Sequence, residues 1–476
     1  MPPPAPILEF NYDISCPFAY IASTRVQSLA ARTGATLHYR PVLLGAIYRA
    51  TSAPQGAAGS ASDVFNAAKK SVTSVSMGRT LRRYRIAYNP PPEHPRKSVN
   101  ALRLLYAVPD GPQRAALTDA LFAAYWAQRR DVTDTAELLR IAGECGITGL
   151  SAACFHDAQA RAALEDATAK AIDRGAFGVP GFWIADARWT DRDAVERQGR
   201  FFWGQDRMHF VEATLLSLRR GAAAPWSDLP RLAALIPRSV PSDALPAPTR
   251  LEFWFDFSSP WAYLGYTQLG RLQALFGPRL EIVLKPFLLG ILFREIGAPM
   301  LPMAAASVAK LKWVRQDHAD WVAWWSAVAL ASGRKDDQVE FQWASVFPIR
   351  TPEVLRVAIV EPKTIPVLCM LFSSPFLDIS LTNCQTQPPG PTTPISPLPA
   401  SSPPSFPLQA STALISSRVQ MPQAPKQHSA TSRRKRNSLA SVVFRLTVYC
   451  VRVLEASGSL SVASFGARTR RVCWRI

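Results

Sequence analysis

The chain has 476 residues, 48% of them hydrophobic, seven cysteines and a formal charge of +19. That length supports two or more domains with real cores, and no run of 18 uninterrupted apolar residues is present to form a spanning helix. The charge does not predict a nucleic-acid binder: in residues 363–476 thirteen Lys/Arg face two acidic residues, a net +11 of the +19, and the remaining excess forms no basic stripe interleaved with aromatics. The cysteines form no CxxC pair and no zinc-type spacing. No metal is therefore expected, and the odd, irregular count predicts a reducing, intracellular compartment rather than a disulfide framework. The start, MPPPAP, has neither the basic flank and apolar core of a secretory signal nor the arginines of a transit peptide.

Leu8, Phe10 and Tyr12 alternate with polar Glu9 and Asn11, which predicts a strand. Pro17 stands where a first helical residue would. Phe18, Ile21, Ala22, Val26 and Leu29 then make one apolar helix face that Gly34 ends. Leu37 and Tyr39 mark a second strand, completing a βαβ unit. From about Ala46 to Ala163 the pattern is mainly helical, with Asp134 as an N-cap. A helix is expected over Ala158–Arg174, then a short strand Phe182–Ile184, a polar excursion from Asp186 to Gly199, a strand Arg200–Trp203 and a helix Arg207–Arg219. This order predicts an α/β thioredoxin-like fold with an inserted helical domain. It spans residues 5–220, with the insertion at about 46–163. Residues 221–249, with six prolines, read as a linker.

The chain then repeats itself. Phe10 to Tyr20, with Asp13-Ile14-Ser15-Cys16-Pro17, returns as Phe253 to Tyr263, with Asp256-Phe257-Ser258-Ser259-Pro260. Arg40-Pro41-Val42-Leu43-Leu44-Gly45 returns as Lys285-Pro286-Phe287-Leu288-Leu289-Gly290, and Ala101-Leu102-Arg103 as Val354-Leu355-Arg356. So long a period means duplicated domains, not a solenoid of 20–50-residue repeats. The second copy runs over 250–362 and is partial. From Gln385 to Pro425 the chain is rich in Pro, Ser and Thr, and Arg433-Arg434-Lys435-Arg436 follows. Residues 363–476 are therefore expected to be disordered. The abrupt loss of register after Pro362 fits a gene-model artefact or a basic interaction tail.

Three motifs carry candidate chemistry. Cys16 precedes the first helical residue at a strand-to-helix junction, where free amides and the helix dipole favour a thiolate. Its pKa is expected to be lowered and its alkylation faster than that of Cys145 or Cys154. Val179-Pro180 lies just before the penultimate strand and suits a cis peptide bond. Gln205 and Asp206 stand at a strand-to-helix turn, where Asp206 alone would also serve as a plain N-cap.

These residues resemble the glutathione transferase kappa and 2-hydroxychromene-2-carboxylate isomerase family within the DsbA-like thioredoxin superfamily. Its opening Asp-x-x-Ser-Pro-[Tyr/Trp]-x-[Tyr/Trp] is matched fully from Asp256 to Tyr263, while the first copy has Cys16 in the serine's place. The resemblance implies glutathione as co-substrate and Cys16 as the catalytic residue beside its sulfur. It implies binding through Pro17, Phe18 and the Val179-Pro180 loop, with Gln205 and Asp206 on the γ-glutamyl end. It also implies that an Asn and a Lys after the second strand hold glutathione's glycine carboxylate; the Asn is absent around Ser52-Ala53-Pro54-Gln55, and Lys69 or Lys70 is expected to supply the cation. The second copy lacks the cis-proline loop and the Gly-x-Asp motif, so Ser259 is expected to be inactive. The resemblance further implies a homodimer and a mitochondrial or peroxisomal setting. No address signal is visible, and Trp474-Arg475-Ile476 is not a peroxisomal tripeptide.

Three readings stand open. The first is a glutathione-dependent transferase or isomerase acting on a small electrophilic or conjugated molecule. The second is a monothiol disulfide oxidoreductase using Cys16, with Ala19 where a resolving cysteine would be. The third is a non-catalytic interaction protein.

Overall fold

A computed structural model describes residues 4–55, 61–191, 195–221, 248–344 and 347–360, with isolated residues between these ranges and up to 369. Of residues 442–474 it describes the backbone of four short strands. The chain divides into two units, Met1–Leu377 and Asp378–Ile476.

In the first unit the alternating stretch forms strand β1, Ile7–Tyr12. Leu8, Phe10 and Tyr12 are fully buried. Phe10 stacks on Tyr12 at 5.0 Å and on Phe182 at 5.6 Å. Helix α1, Pro17–Thr33, starts on its proline and ends at Gly34, whose φ of 66° lets its amide close the last turn. Strand β2, Thr36–Pro41, pairs parallel to β1. The helical insertion then contributes α2 (Leu44–Ala50), α3 (Ala67–Tyr84), α4 (Val99–Tyr106), α5 (Pro112–Trp126) and α6 (Thr135–Glu144), the last capped by Asp134 as expected. Helix α7, Ala158–Asp173, leads back to β3 (Gly181–Thr190), β4 (Glu196–Trp203) and α8 (Met208–Arg219). The sheet order is β2-β1-β3-β4, with β3 antiparallel to both its neighbours. This is a thioredoxin-like sheet with a helical domain inserted between its two halves.

Three expectations are adjusted. The polar excursion from Asp186 to Gly199 is largely strand: β3 and β4 continue past the core as a hairpin, with a register shift between Ile184 and Arg188. Beyond the core only Ala187 and Trp189 of β3 turn inward, between exposed Arg188 and Thr190, and Glu196 to Gln198 of β4 are exposed, so the alternation is too short to signal the strand. The last helix begins at Met208, after a 3₁₀ turn Gln205–Arg207. The stretch read as a linker is anchored: Trp226 and Leu229 are buried, and Trp226 stacks on Phe210 at 5.0 Å.

The partial second copy has β5 (Thr249–Phe255) parallel to β6 (Leu280–Pro286). Around them lie α9 (Pro260–Thr267), α10 (Leu269–Phe276), α11 (Leu289–Glu295), the long α12 (Val308–Ala331) and α13 (Pro352–Val360). Among the described residues nothing equivalent to β3, β4 and α8 follows, as the broken repeat implied. The expected disordered tail falls mostly outside the described residues. Its described parts are strands β7 (Val442–Val448) with β10 (Arg468–Trp474), and β8 (Val453–Leu454) with β9 (Ser461–Val462). No helix among the described residues is long and apolar enough to cross a membrane.

One latch is repeated in both copies. The buried Asp13 carboxylate accepts from the Ser15 amide and hydroxyl, both at 2.9 Å, and from the Leu44 amide at 2.9 Å. Asp256 does the same with the Ser258 amide and hydroxyl at 2.9 and 3.0 Å and the Leu289 amide at 2.9 Å. The motif's aspartate thus ties the turn after the first strand to the turn after the second, which aims the intervening helix. Asp13→Ala leaves the half-buried Leu44 amide without its acceptor. It should cost about 1.5–3 kcal/mol, the range for hydrogen bonds to a charged group, read as a lower urea midpoint. Asp13→Asn, which keeps one acceptor, should lose less.

Candidate active site

Cys16 is the N-cap of α1, but its side chain does not cap the helix. Its Sγ instead donates to the Val179 carbonyl at 3.3 Å, across 163 residues of chain. Val179-Pro180 is a cis peptide, as the sequence predicted. The thiol is 6% exposed. Burial pushes it up to about 12, against the lowering pull of the Ala19 and Phe18 amides, and the Asp13 charge adds to the rise. The expectation of a lowered pKa is therefore corrected. The helix N-terminus is present and acts in the expected direction, but the loss of solvation outweighs it. Pro17 opens α1, and Phe18 packs half-buried against the core. The phenols of Tyr48 and Tyr88, both half-buried, lie close enough to Cys16 for its charge to oppose theirs.

The second wall is the turn Gly204-Gln205-Asp206-Arg207. The Gly204 amide donates to the Pro180 carbonyl at 2.9 Å, so this turn and the cis-proline loop are joined. Gly204 has φ 102°, and a Cβ there would lie 2.6 Å from the Asp206 Oδ1. Only glycine fits both the backbone and the neighbour. Arg25, from α1, donates to the Gln205 carbonyl at 3.1 Å and its Oε1 at 2.5 Å, with its guanidinium 3.9 Å over the Tyr84 ring. Asp206 takes Arg207 Nη1 at 2.5 Å, and its side chain stays 60% exposed. It does not cap α8, so the plain N-cap reading is set aside.

Sequence reasoning did not foresee what holds this turn from outside. Helix α12 of the second copy lies against it. Asp317 takes Arg207 in a bidentate pair, Nε to Oδ1 at 2.6 Å and Nη2 to Oδ2 at 2.9 Å, with the carboxylate almost fully buried. Burial disfavours the Arg207 charge, but Asp317 and Asp206 together hold its pKa above the ordinary value. Trp313 packs on Phe177 at 5.5 Å and on Trp203 at 5.2 Å, the residues that flank the two site loops. A further buried pair joins Arg200 to Asp320. The sequence offered no signal for these contacts, because an acidic residue on a Trp-rich helix reads as solvated.

Lys69 sits in the first turn of α3, its amide capped by Asn66 at 2.8 Å and its ammonium 4.0 Å from the Phe65 ring. Lys310, in the first turn of α12, is half-buried. Burial first, and Lys69 second, lower its pKa, so the two cations are near one another. Lys70 is exposed. In the second copy Ser259 caps α9 by accepting from the Ala262 amide at 3.2 Å. Among the described residues no group of three His, Cys, Asp or Glu could hold a metal.

A family model described as the DSBA-like thioredoxin domain matches residues 7–216 and again 250–345. The chain belongs to this family. Among its relatives it is 27% identical over 210 residues to a 2-hydroxychromene-2-carboxylate isomerase of Sphingobium xenophagum, covering 44% of this chain and 97% of that one. It is 22% identical over 219 residues to glutathione S-transferase kappa 1 of Caenorhabditis elegans, covering 44% and 90%. A solved structure of a 2-hydroxychromene-2-carboxylate isomerase matches 45% of this chain and 97% of its own, at 21% identity and a TM-score of 0.37. The two segments matched by the DSBA-like model fit a tandem copy, the second of them shorter.

With its pKa near 12, Cys16 is almost wholly a neutral thiol at pH 7. Its alkylation by iodoacetamide should be slower than that of the half-exposed Cys145 and Cys154. The rate should rise about tenfold per pH unit between pH 7 and 9, because only the thiolate reacts. A rate for Cys16 above those two at pH 7 would contradict the geometry. Asp317→Asn removes one charge from a buried pair and should destabilise the packing of the copies by about 3–5 kcal/mol. The measurement is the first unfolding transition in urea.

Proposed function

We propose that the first copy is a glutathione-dependent enzyme that conjugates a small electrophile, or isomerises a small conjugated one through a reversible thiol adduct. The observation that carries this reading is the buried Cys16 thiol, aimed at the Val179 carbonyl on the cis-proline loop, with the Asp206 carboxylate open to solvent on the adjoining turn. A neutral S–H is a hydrogen-bond donor. Turned from the Val179 carbonyl to glutathione's sulfur it stabilises the anion there and lowers glutathione's own pKa. The Val179 backbone orients the tripeptide. Gln205 and Asp206 receive its γ-glutamyl ammonium through a charge-assisted bond, and Lys69 and Lys310 offer cations for a carboxylate. Tyr48 and Tyr88 supply neutral phenols beside the sulfur for the second substrate.

The chemistry balances without a redox step. Glutathione's thiolate adds to an electrophilic carbon: a C–S bond forms as the adjacent π bond breaks and its electron pair moves onto the conjugated group. In a conjugation the C–S bond remains, and that pair takes a proton from water or departs with a leaving group. In an isomerisation the former double bond rotates as a single bond, the C–S bond breaks, and the thiolate leaves as the double bond re-forms. The two relatives above carry names of these two reaction types. A monothiol oxidoreductase would need Cys16 as the attacking thiolate, and its burial weighs against that.

Calorimetry with glutathione on the full chain tests the reading. Asp206→Ala should weaken binding by about 1.5–3 kcal/mol, the value for a hydrogen bond to a charged group. Cys16→Ser, which keeps a donor of similar size, should retain glutathione binding and thiol-addition activity. No binding by the unaltered chain would overturn the reading. So would disulfide exchange that disappears in Cys16→Ser while thiol addition is absent from both.

A further inference from the structure

Gln205 and Asp206 stand side by side on the turn that the Gly204 amide joins to the Pro180 carbonyl. A γ-glutamyl end carries two charges, an ammonium and an α-carboxylate, and the geometry divides them between these two residues. The Gln205 side chain is an amide with one oxygen and one NH₂ group. Arg25 Nη2 donates to its Oε1 at 2.5 Å and to the Gln205 backbone carbonyl at 3.1 Å. A guanidinium has donors and no acceptor, so the side-chain atom that faces it is the oxygen. The amide is therefore held one way round, with its NH₂ group left for another acceptor. Among the described residues nothing accepts from Gln205 Nε2 or from Arg25 Nη1.

Arg25 is itself held in place. Its Nε donates to the Ile21 carbonyl at 3.4 Å, one turn back on α1, and its guanidinium lies over the Tyr84 ring of α3. Burial lowers its pKa, and the charge of Asp206 opposes that, so guanidinium and carboxylate are within electrostatic reach of one another. Asp206 accepts from Arg207 at Oδ2; its Oδ1 has no partner among the described residues. Donors of an amide and a guanidinium thus stand beside an open carboxylate. That arrangement complements the zwitterion of an α-amino acid, since charge-assisted bonds form at both of its ends.

We infer that Arg25 is a positioning residue that makes the site specific for a γ-glutamyl end with a free α-carboxylate. It holds Gln205 so that the amide N–H groups take the carboxylate, while Asp206 takes the ammonium. This inference rests on the glutathione reading and adds the residue that orients the tripeptide's charged end. An Arg25 that only tied α1 to the turn would affect every ligand of the site alike.

The test is calorimetry on the full chain with three thiols: glutathione, 4-aminobutyryl-cysteinylglycine, which lacks the α-carboxylate, and glutaryl-cysteinylglycine, which lacks the ammonium. The unaltered chain should bind each analogue at least about tenfold more weakly than glutathione, as expected for a lost hydrogen bond to a charged group. Arg25→Met should weaken glutathione by a similar factor and bind 4-aminobutyryl-cysteinylglycine about as well as the unaltered chain does. It should still discriminate against glutaryl-cysteinylglycine, because Asp206 is intact. Arg25→Lys, which can hold one of the two Gln205 oxygens, should fall between. Thermal unfolding checks that the variants are folded; should Arg25→Met fail to fold, Gln205→Leu decides by the same loss of discrimination. Equal binding of glutathione and 4-aminobutyryl-cysteinylglycine by the unaltered chain would overturn the inference and leave the glutathione reading standing. So would an Arg25→Met that weakens all three thiols by one factor. No glutathione binding by the unaltered chain would remove the reading and the inference together.

Discussion

The hydrogen bond from Cys16 to the Val179 carbonyl is the contact on which the site depends. It joins two halves of the sheet that the helical insertion separates in sequence. On one side stands the β1–α1 junction, aimed by the Asp13 latch. On the other stands the loop that opens β3, which the Gly204 amide ties to the next turn. The insertion can be long because the ends it connects are fixed by the sheet, and loop-closure entropy grows only slowly with length. Cys16, Pro17, Phe18, Val179, Pro180, Gln205 and Asp206 all lie on these two joined edges.

The second copy acts on the first from outside that frame. Arg207 is shared by Asp206, which faces solvent, and Asp317, which does not. A guanidinium with five donors in a fixed fork can serve both carboxylates at once. The buried partner fixes where the fork sits, and so where Asp206 is held. Trp313 reinforces this by packing on Phe177 and Trp203, one from each site loop. Trp226, from the connecting segment, stacks on Phe210 and meets Trp324 edge-on, which pins the approach of the second copy to α8. A second copy with no described counterpart of β3, β4 and α8 thus has a definite place in the first unit, as a brace for the turn it touches.

The architecture was legible in the sequence wherever a local signal existed. Alternation gave β1, Pro17 and Gly34 bounded α1, and an X-Pro in the right place gave the cis bond. What stayed hidden was set by tertiary contacts. In the outer part of the β3–β4 hairpin Ala187 and Trp189 turn inward between exposed Arg188 and Thr190, an alternation too short to stand out as a strand. Arg25 and Asp317 look like ordinary charged residues on helices, and only docking makes them partners of Gln205 and Arg207. The Cys16 error is more instructive. Position alone correctly named the helix N-terminus, but a pKa is a balance between that field and solvation. The degree of burial cannot be read from a motif.

The chain supplies its own control for what Cys16 does. Asp13 and Asp256 make the same three hydrogen bonds, and Tyr20 and Tyr263 the same fourth. The junctions are alike, yet Ser259 caps its own helix through the Ala262 amide, while Cys16, within the pull of the matching Ala19 amide, gives its proton to the Val179 carbonyl. A hydroxyl oxygen is a good acceptor for a helix amide and a sulfur is a weak one. Capping therefore competes for the serine and scarcely for the cysteine. The second copy also has no described counterpart of the Val179 loop to offer an acceptor. The nucleophile position is thus set by the N-terminal βαβ unit in both copies. Its orientation is set by what the C-terminal half of the fold places opposite, and the first copy alone shows that half among the described residues.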